Sequence, residues 1–419
     1  MSDMEKRRPA LPSISSPLMT FAVLAGLAIG CFLVFVQRRS DSPAVACIEI
    51  ILSLAIPCAV IELFVNRSPQ RSGMSFSKRD FSPQRVLRKV LALWVILAAL
   101  AFCYHAFPIY RGDFYGPFNW LWQNSFLPLV ILSVPYLAFA DMVQEEPKDT
   151  LWKLGNRLFS RPHALSFVEI NYLLGWLVKG FFFPLMFVYL CGQISDLREF
   201  DLSPFFSSSY RAFVGGSYDL LYLAFFFIDL TVSATGYIMT FRLLGTQIRS
   251  VEPTLVGWLV AVVCYQPFYS ILYSSYLSYG HDRPWGVWLS DQPILYSLWA
   301  LMIIVCLSFY AWAAVCFGIR FSNLTNRGII TNGPYRWTKH PAYISKNISW
   351  WLVSIPFLPP DSNPWTAIRL CAGLLIINFI YFMRAKTEER HLLRDPIYRD
   401  YVEHIRSNGV FRHLRFGSK

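Results

Sequence analysis

The sequence predicts an all-α polytopic membrane protein of about ten transmembrane helices, and three observations carry that prediction. The 419 residues are 55 % hydrophobic and only 15 % charged, with a mean hydropathy of +0.39, whereas soluble globular chains carry about 25 % charged residues. The apolar residues recur in runs near the ~20 residues that cross a bilayer as helix. Between the runs lie short polar segments in which Lys and Arg collect. Intrinsic disorder, a disulfide-built secreted scaffold and an ordinary soluble α/β enzyme are excluded by the same composition.

The runs fall at roughly 18–36, 43–65, 90–110, 118–140, 170–194, 217–240, 254–277, 293–317, 342–359 and 365–383. Segment 66–89 holds Arg67, Arg71, Lys78, Arg79, Arg85, Arg88 and Lys89 against Asp80 alone, which marks it as cytoplasmic. Alternation then puts Arg320, Arg327, Arg336, Lys339 and both termini on that side. The segments near Arg111, over 195–216 and around His281 to Arg283 fall on the other; only Arg38 and Arg39 oppose the scheme. The net charge of +12 is thus a topology signal rather than a nucleic-acid footprint. The expected setting is a bacterial cytoplasmic membrane.

All nine cysteines, Cys31, Cys47, Cys58, Cys103, Cys191, Cys264, Cys306, Cys316 and Cys371, fall inside apolar runs with no C-x-x-C pair, so neither zinc nor a disulfide framework is indicated. Leu18 to Val36 is long enough to span and lacks an A-x-A site, so it reads as a span rather than a cleaved leader. The sequons at Asn66 and Asn323 face the cytosol in this topology and read as ordinary loop residues. Gly26-x-x-x-Gly30 is a close-packing pattern for a helix pair. Phe205 to Gly216 is the expected seam between residues 1–210 and 211–419; no repeat crosses it. Charges inside spans are costly. Glu62 and Asp219 lie near enough to span ends to be solvated, whereas Asp229 and Lys179 read as an inter-helix ion pair or as polar lining of a substrate tunnel.

No G-x-G-x-x-G, Walker A, H-E-x-x-H or G-x-S-x-G signature is present. The distinctive stretch is 317–343, joining the eighth and ninth runs. Gly333-Pro334 makes a turn, and Pro341 suits the first position of a helix. That helix begins beside Lys339 and His340 with its positive end, an anion site. Tyr335, Trp337 and Tyr343 surround it, either to hold a flat heterocycle or to anchor the helix at the interface. A second cluster follows the tenth run: Arg384, Lys386, Glu388, Glu389, Arg390 and His391, then Tyr398 and Tyr401. If the helix continues, Arg384 and Glu388 share a face and can pair.

The spacing Gly333-Pro-Tyr-Arg-x-x-Lys-His-Pro-x-Tyr343, followed by Arg384-x-x-x-Glu388-Glu389 and Tyr398-x-x-Tyr401, resembles the C-terminal signature of the isoprenylcysteine carboxyl methyltransferase and phospholipid methyltransferase superfamily. The likeness covers about 320–405. It implies a C-terminal five-helix unit within 211–419 that uses S-adenosylmethionine at the cytosolic surface and admits a lipid-like substrate from the bilayer. It also implies a cofactor shell of Tyr335, His340, Pro341, Tyr343, Arg384, Glu388 and Glu389, with Lys339, His340 and Glu389 as the candidate catalytic group. The anion site would take the cofactor's carboxylate, and the Glu pair its amino or hydroxyl groups.

Two departures stand out. Lys339 replaces the usual Arg and loses its planar fork, and Ser345 stands where Gly is common. Lys346 and Asn347, with Asp229, are weaker candidates for the substrate tunnel, or else snorkel to the interface. A carboxylate acceptor needs no general base; an ammonium acceptor does, and His340 or Glu389 could serve. Two alternatives stay open: a sterol-reductase-like enzyme using NADPH, which shares a similar His-Pro-x-Tyr segment, and a non-enzymatic transporter or scaffold. The front 210 residues carry no nameable motif; they shape substrate access, bind a partner or stabilise a dimer.

Overall fold

The computed structural model describes residues 11–412 except 78–79, 162–163 and 281–284. Lys78, Arg79 and the His281 to Arg283 segment, all used for orientation, lie outside the described residues. Among the described residues the secondary structure is helical apart from two short strands. Its principal helices are α1 (Pro17–Val36), α2 (Pro43–Val65), α3 (Pro83–Ala106), α4 (Gly116–Val143), α5 (Phe167–Arg198), α6 (Tyr210–Ile238), α7 (Leu255–Val262), α8 (Phe268–Ser275), α9 (Pro293–Phe317), α10 (Pro341–Ser354), α11 (Pro364–Leu392) and α12 (Pro396–Asn408). Among the described residues, eight helical segments are long and apolar enough to cross a membrane: α1 to α6, α9 and α11, in some cases with a flanking turn. This is the predicted all-α polytopic membrane protein.

The other two expected spans differ in form, for local reasons. Run 254–277 is broken into α7 and α8, with Pro267, which has no N–H and whose ring disfavours continuing the helix, just ahead of α8. Run 342–359 stops at Ser354, where Ile355 takes a left-handed conformation. Pro356 follows, and the residue before a proline is pushed out of the helical region. Conversely, α11 runs nine residues beyond the expected end at 383, capped at its start by the Asn363 side chain. That extension carries Arg384, Glu388 and Glu389 on a continuous helix.

The Gly26-x-x-x-Gly30 reading holds. A Cβ on Gly26 would stand 2.7 Å from the Leu54 Cα, and one on Gly30 would meet the Ile50 side chain at 2.3 Å. The two glycines thus let α1 and α2 touch backbone to backbone. One continuous core joins α1, α2, α5 and α6 and reaches Val315 in α9 and Ile319 just after it. Residues on both sides of the expected 205–216 seam share it.

Glu62 is a correction. It is buried, not solvated: its carboxylate pairs with Arg320 and accepts from Ser68 and Asn66. Arg327 is buried too, donating to the carbonyls of Gly236, Met239, Thr246 and Phe321 at 2.7–3.0 Å. Gly236 and Met239 end α6, so the guanidinium caps that helix and fastens the 318–340 loop beneath it. The strand β1 (Ser250–Val251) pairs antiparallel with β2 (Thr325–Asn326) and ties the same loop to the segment after α6. Residues 11–15 close over it, with Ile14 N–H on the Ile329 carbonyl at 3.0 Å and the Asn332 amide on the Ser15 carbonyl at 3.0 Å. The start of the described chain, the 66–75 loop, the 318–340 loop and the end of α11 therefore gather at one end, the arrangement that alternation required. Arg198, on the carbonyls of Val34 and Ser40, marks the opposite end.

Candidate active site

Where α10 begins and α11 ends, a cavity of about 1050 Å3, its open mouth included, is enclosed. Of the predicted site residues, Tyr335, Lys339, His340, Tyr343, Lys346, Arg384, Glu388 and Asp229 line it. Glu389, Pro341 and Asn347 are not among its lining residues.

Glu389 organises the mouth. Its Oε1 lies 2.5 Å from Lys339 Nζ and 3.0 Å from His340 Nε2, and its Oε2 lies 3.6 Å from Lys386 Nζ. A carboxylate accepts only, so Nε2 carries the imidazole proton toward Glu389. The His340 ring stacks on Tyr343 at 5.5 Å and 5°, and the Tyr343 hydroxyl donates to Glu388 Oε2 at 2.8 Å. Each carboxylate of the Glu pair thus holds a different part of the motif loop and α10. His340 caps α10 without a side-chain bond. The N–H groups of Ala342 and Tyr343 precede the first helical bond, Ile344 N–H to the His340 carbonyl at 3.1 Å. The expected positive helix end is therefore in place, beside Lys339 and His340, which Glu389 holds.

The expected Arg384–Glu388 pair does not form. Arg384 turns the other way, donating to Asn323 Oδ1 at 2.5 Å and lying within 5.3–5.7 Å of the rings of Tyr343, Tyr265 and Tyr381. Planar guanidinium on three aromatic faces is a favourable arrangement; Glu388 is taken by Tyr343. Asn323 corrects a second expectation, since it is no ordinary loop residue: its amide also donates to the hydroxyls of Tyr237 at 2.8 Å and Tyr265 at 3.0 Å. The hydroxyl of Tyr335 is pushed up by burial and by the Glu388 carboxylate nearby, so it stays a proton donor in the wall.

At the inner end the Asp229–Lys179 pair is also absent. Lys179 rests on the Trp176 ring at 3.3 Å, while Asp229 Oδ2 accepts from the Tyr310 hydroxyl at 2.6 Å. Of the two alternatives weighed for Asp229, lining is the one its position matches. Lys346 Nζ sits 5.3 Å from the Tyr310 ring and 5.5 Å from that of Trp350. Asn347 faces α11, its side chain bonded to the Tyr343 carbonyl and to Asn378.

Several wall residues are not site candidates by sequence: Tyr265, Tyr310, Tyr381, Glu252 and His391. The tyrosines sit in apolar runs where packing is the ordinary reading, His391 is only one member of the charge cluster after the tenth run, and Glu252 stands in a short connection with no motif. Glu252 and His391 each bury a polar atom with no hydrogen-bond partner, Oε2 and Nδ1. Among the described residues no group of His, Cys, Asp and Glu could hold a metal ion, and the cysteines are free.

Residues 290–394 match the isoprenylcysteine carboxyl methyltransferase (ICMT) family. The match takes in α9, the motif loop, α10 and α11, and with them every predicted site residue except Asp229. That segment of a multi-pass membrane chain is therefore similar to a methyltransferase family. No curated protein and no solved structure matches the chain.

Proposed function

We propose that this chain is an S-adenosylmethionine-dependent methyltransferase acting on a lipid-like or isoprenoid acceptor. One observation carries the reading: the motif residues Lys339, His340, Tyr343 and Glu388 line the same cavity as Asp229, Tyr310 and Lys346, which stand on helices within the apolar body. A polar cofactor and an apolar acceptor require such a two-ended site. The wall fits the cofactor's chemistry. Carboxylates suit an ammonium and hydroxyls, the start of α10 suits a carboxylate, and tyrosine faces suit a flat base. When bound, S-adenosylmethionine supplies an electrophilic methyl on a sulfonium.

The protein's own work is alignment and exclusion of water. Glu389 holds Lys339 and His340 at the mouth, so that their positions are set before any ligand arrives. Glu388 fixes the Tyr343 ring, and Arg384, gripped by Asn323, joins the loop to α11. At the inner end the Lys346 ammonium and the Asp229–Tyr310 hydrogen bond meet the head of an acceptor whose apolar tail stays in the bilayer. His340 Nδ1 is left as the acceptor atom of the ring, able to receive a proton from an amine acceptor. The basic 66–89 segment supports a cytosolic mouth.

Calorimetric titration of detergent-purified protein with S-adenosylhomocysteine, with NADPH in parallel, tests the reading. Binding of the first ligand alone, weakened in His340→Ala, is expected. Binding of NADPH alone would move the chain to the reductases, and binding of neither would favour a scaffold or transporter.

A further inference from the structure

Glu252 and His391 are buried ionisable groups that the mechanism above does not use. Glu252 lies outside the ICMT match and follows β1 in the chain; His391 belongs to the last turn of α11. Both line the cavity, and they are only 2 % and 4 % exposed.

Their hydrogen bonds are half made. Glu252 Oε1 accepts from the Thr254 N–H at 3.0 Å and from the Thr254 hydroxyl, with Arg390 Nη2 at 3.4 Å. Its Oε2 has no donor. His391 Nε2 meets Ser250 Oγ at 3.1 Å, while Nδ1 has no partner. With the proton on Nε2, directed at Ser250, Nδ1 is an acceptor. Ser250 and Glu252 are two residues apart in extended chain and so share one face, which brings the His391 ring and the Glu252 carboxylate to the same part of the wall.

The placement is rigid. Val251 N–H donates to Asn171 Oδ1 at 2.8 Å, Trp258 Nε1 donates to the Glu252 carbonyl at 2.8 Å, and β1 is paired with β2. Buried acceptors left without donors are costly unless a ligand supplies them. The Glu252 carboxylate oxygen and, in that tautomer, His391 Nδ1 call for donors on the same part of the wall, and a pair of hydroxyls supplies them without adding charge.

We infer that Glu252 and His391 form a subsite for the vicinal hydroxyls of a ribose, binding the sugar of the nucleoside cofactor in the cavity. The inference rests on the proposed S-adenosylmethionine reading and adds to it a residue from the chain ahead of the matched domain. It also places the ribose against β1 and the end of α11, away from the Lys346 end where the acceptor enters.

The test titrates the full-length protein in detergent with S-adenosylhomocysteine and with its 2′,3′-dideoxy analogue. Wild type should bind the dideoxy analogue about tenfold to a hundredfold more weakly, the loss of hydrogen bonds to a charged acceptor. Glu252→Gln should lose a similar factor for S-adenosylhomocysteine and match wild type for the analogue, and His391→Asn should show a smaller loss of the same pattern. Equal wild-type affinity for the two ligands overturns the subsite, and needs no variant to fold. An equal loss for both ligands in Glu252→Gln, or none for either, also overturns it while leaving the cofactor reading intact. Absence of S-adenosylhomocysteine binding by wild type overturns the cofactor reading, and the subsite with it.

Discussion

Buried charge is handled differently at the α3–α4 contact and in the cavity. At the first, Asp141 accepts from Arg85 at 2.8 Å and from Lys89 at 2.9 Å, and Lys89 reaches Gln144 at 3.1 Å and Asp149 at 3.4 Å. The side chains of Asp141 and Lys89 are almost wholly buried, and their bonds close on one another. In the cavity, Lys346 lies against the rings of Tyr310 and Trp350 and shares the wall with Asp229 without a salt bridge to it, and Glu252 and His391 each keep a polar atom without a partner. A closed network holds helices together; an open one keeps its capacity for a ligand. The difference lies in pairing, not in depth of burial.

The comparison can be broken most decisively at its closed member. Asp141→Asn removes the buried carboxylate that Lys89 and Arg85 share, leaving them only the more exposed Asp149 and Asp80, and should cost about 3 kcal/mol, read as a large fall in the thermal unfolding midpoint in detergent. An unchanged midpoint would show that the closed network does not carry stability. Glu389→Ala comes next. It frees Lys339 and His340 at the mouth and should weaken S-adenosylhomocysteine binding about tenfold or more, as expected for hydrogen bonds to charged groups, with a much smaller change in the midpoint. If stability falls as far as for Asp141→Asn, the two regions are alike after all.

Lys346→Met sharpens the open member. Removing a desolvated ammonium that forms no salt bridge should change the midpoint little, while turnover of a lipid-like acceptor falls at unchanged affinity for S-adenosylhomocysteine. A drop in the midpoint would place Lys346 with the structural charges. The smallest effect belongs to Lys179, whose contact with Trp176 is worth about 0.5–1 kcal/mol. In a double-mutant cycle, Lys179→Met and Asp229→Asn should add within about 0.5 kcal/mol, as separate sites do.

The parts of the site legible in the sequence are those whose chemistry is local. Pro341 opening a helix next to Lys339 and His340, and the Glu pair riding out of the last span, required only short-range rules. Pro356 and Pro267 stand at the breaks in the ninth and seventh runs, but proline alone does not announce a break, since Pro57, Pro128, Pro135 and Pro184 stay inside continuous helices. What could not be read were the partners. Arg384 and Glu388 are one turn apart and suited to pair, yet each found a stronger partner on another element, Asn323 and Tyr343. The Asp229–Lys179 pairing failed for a similar reason, because nothing local states which face of a helix meets which neighbour.

Composition and run length by themselves determined that this chain is a helical membrane protein. Water leaves no other use for so many apolar runs, and a bilayer demands that each run satisfy its own backbone hydrogen bonds. The spacing around His340 and Glu389 likewise determined where the family likeness would fall. Only the tertiary structure decided that Glu62 would bury itself against Arg320, that Asn323 would leave the loop surface for Arg384, and that Glu252 would reach the cavity from outside the matched domain. Such contacts bridge 61 to 258 residues of chain. They form because a buried charge must find a partner wherever packing brings one, and packing is a property of the whole assembly of helices rather than of any segment.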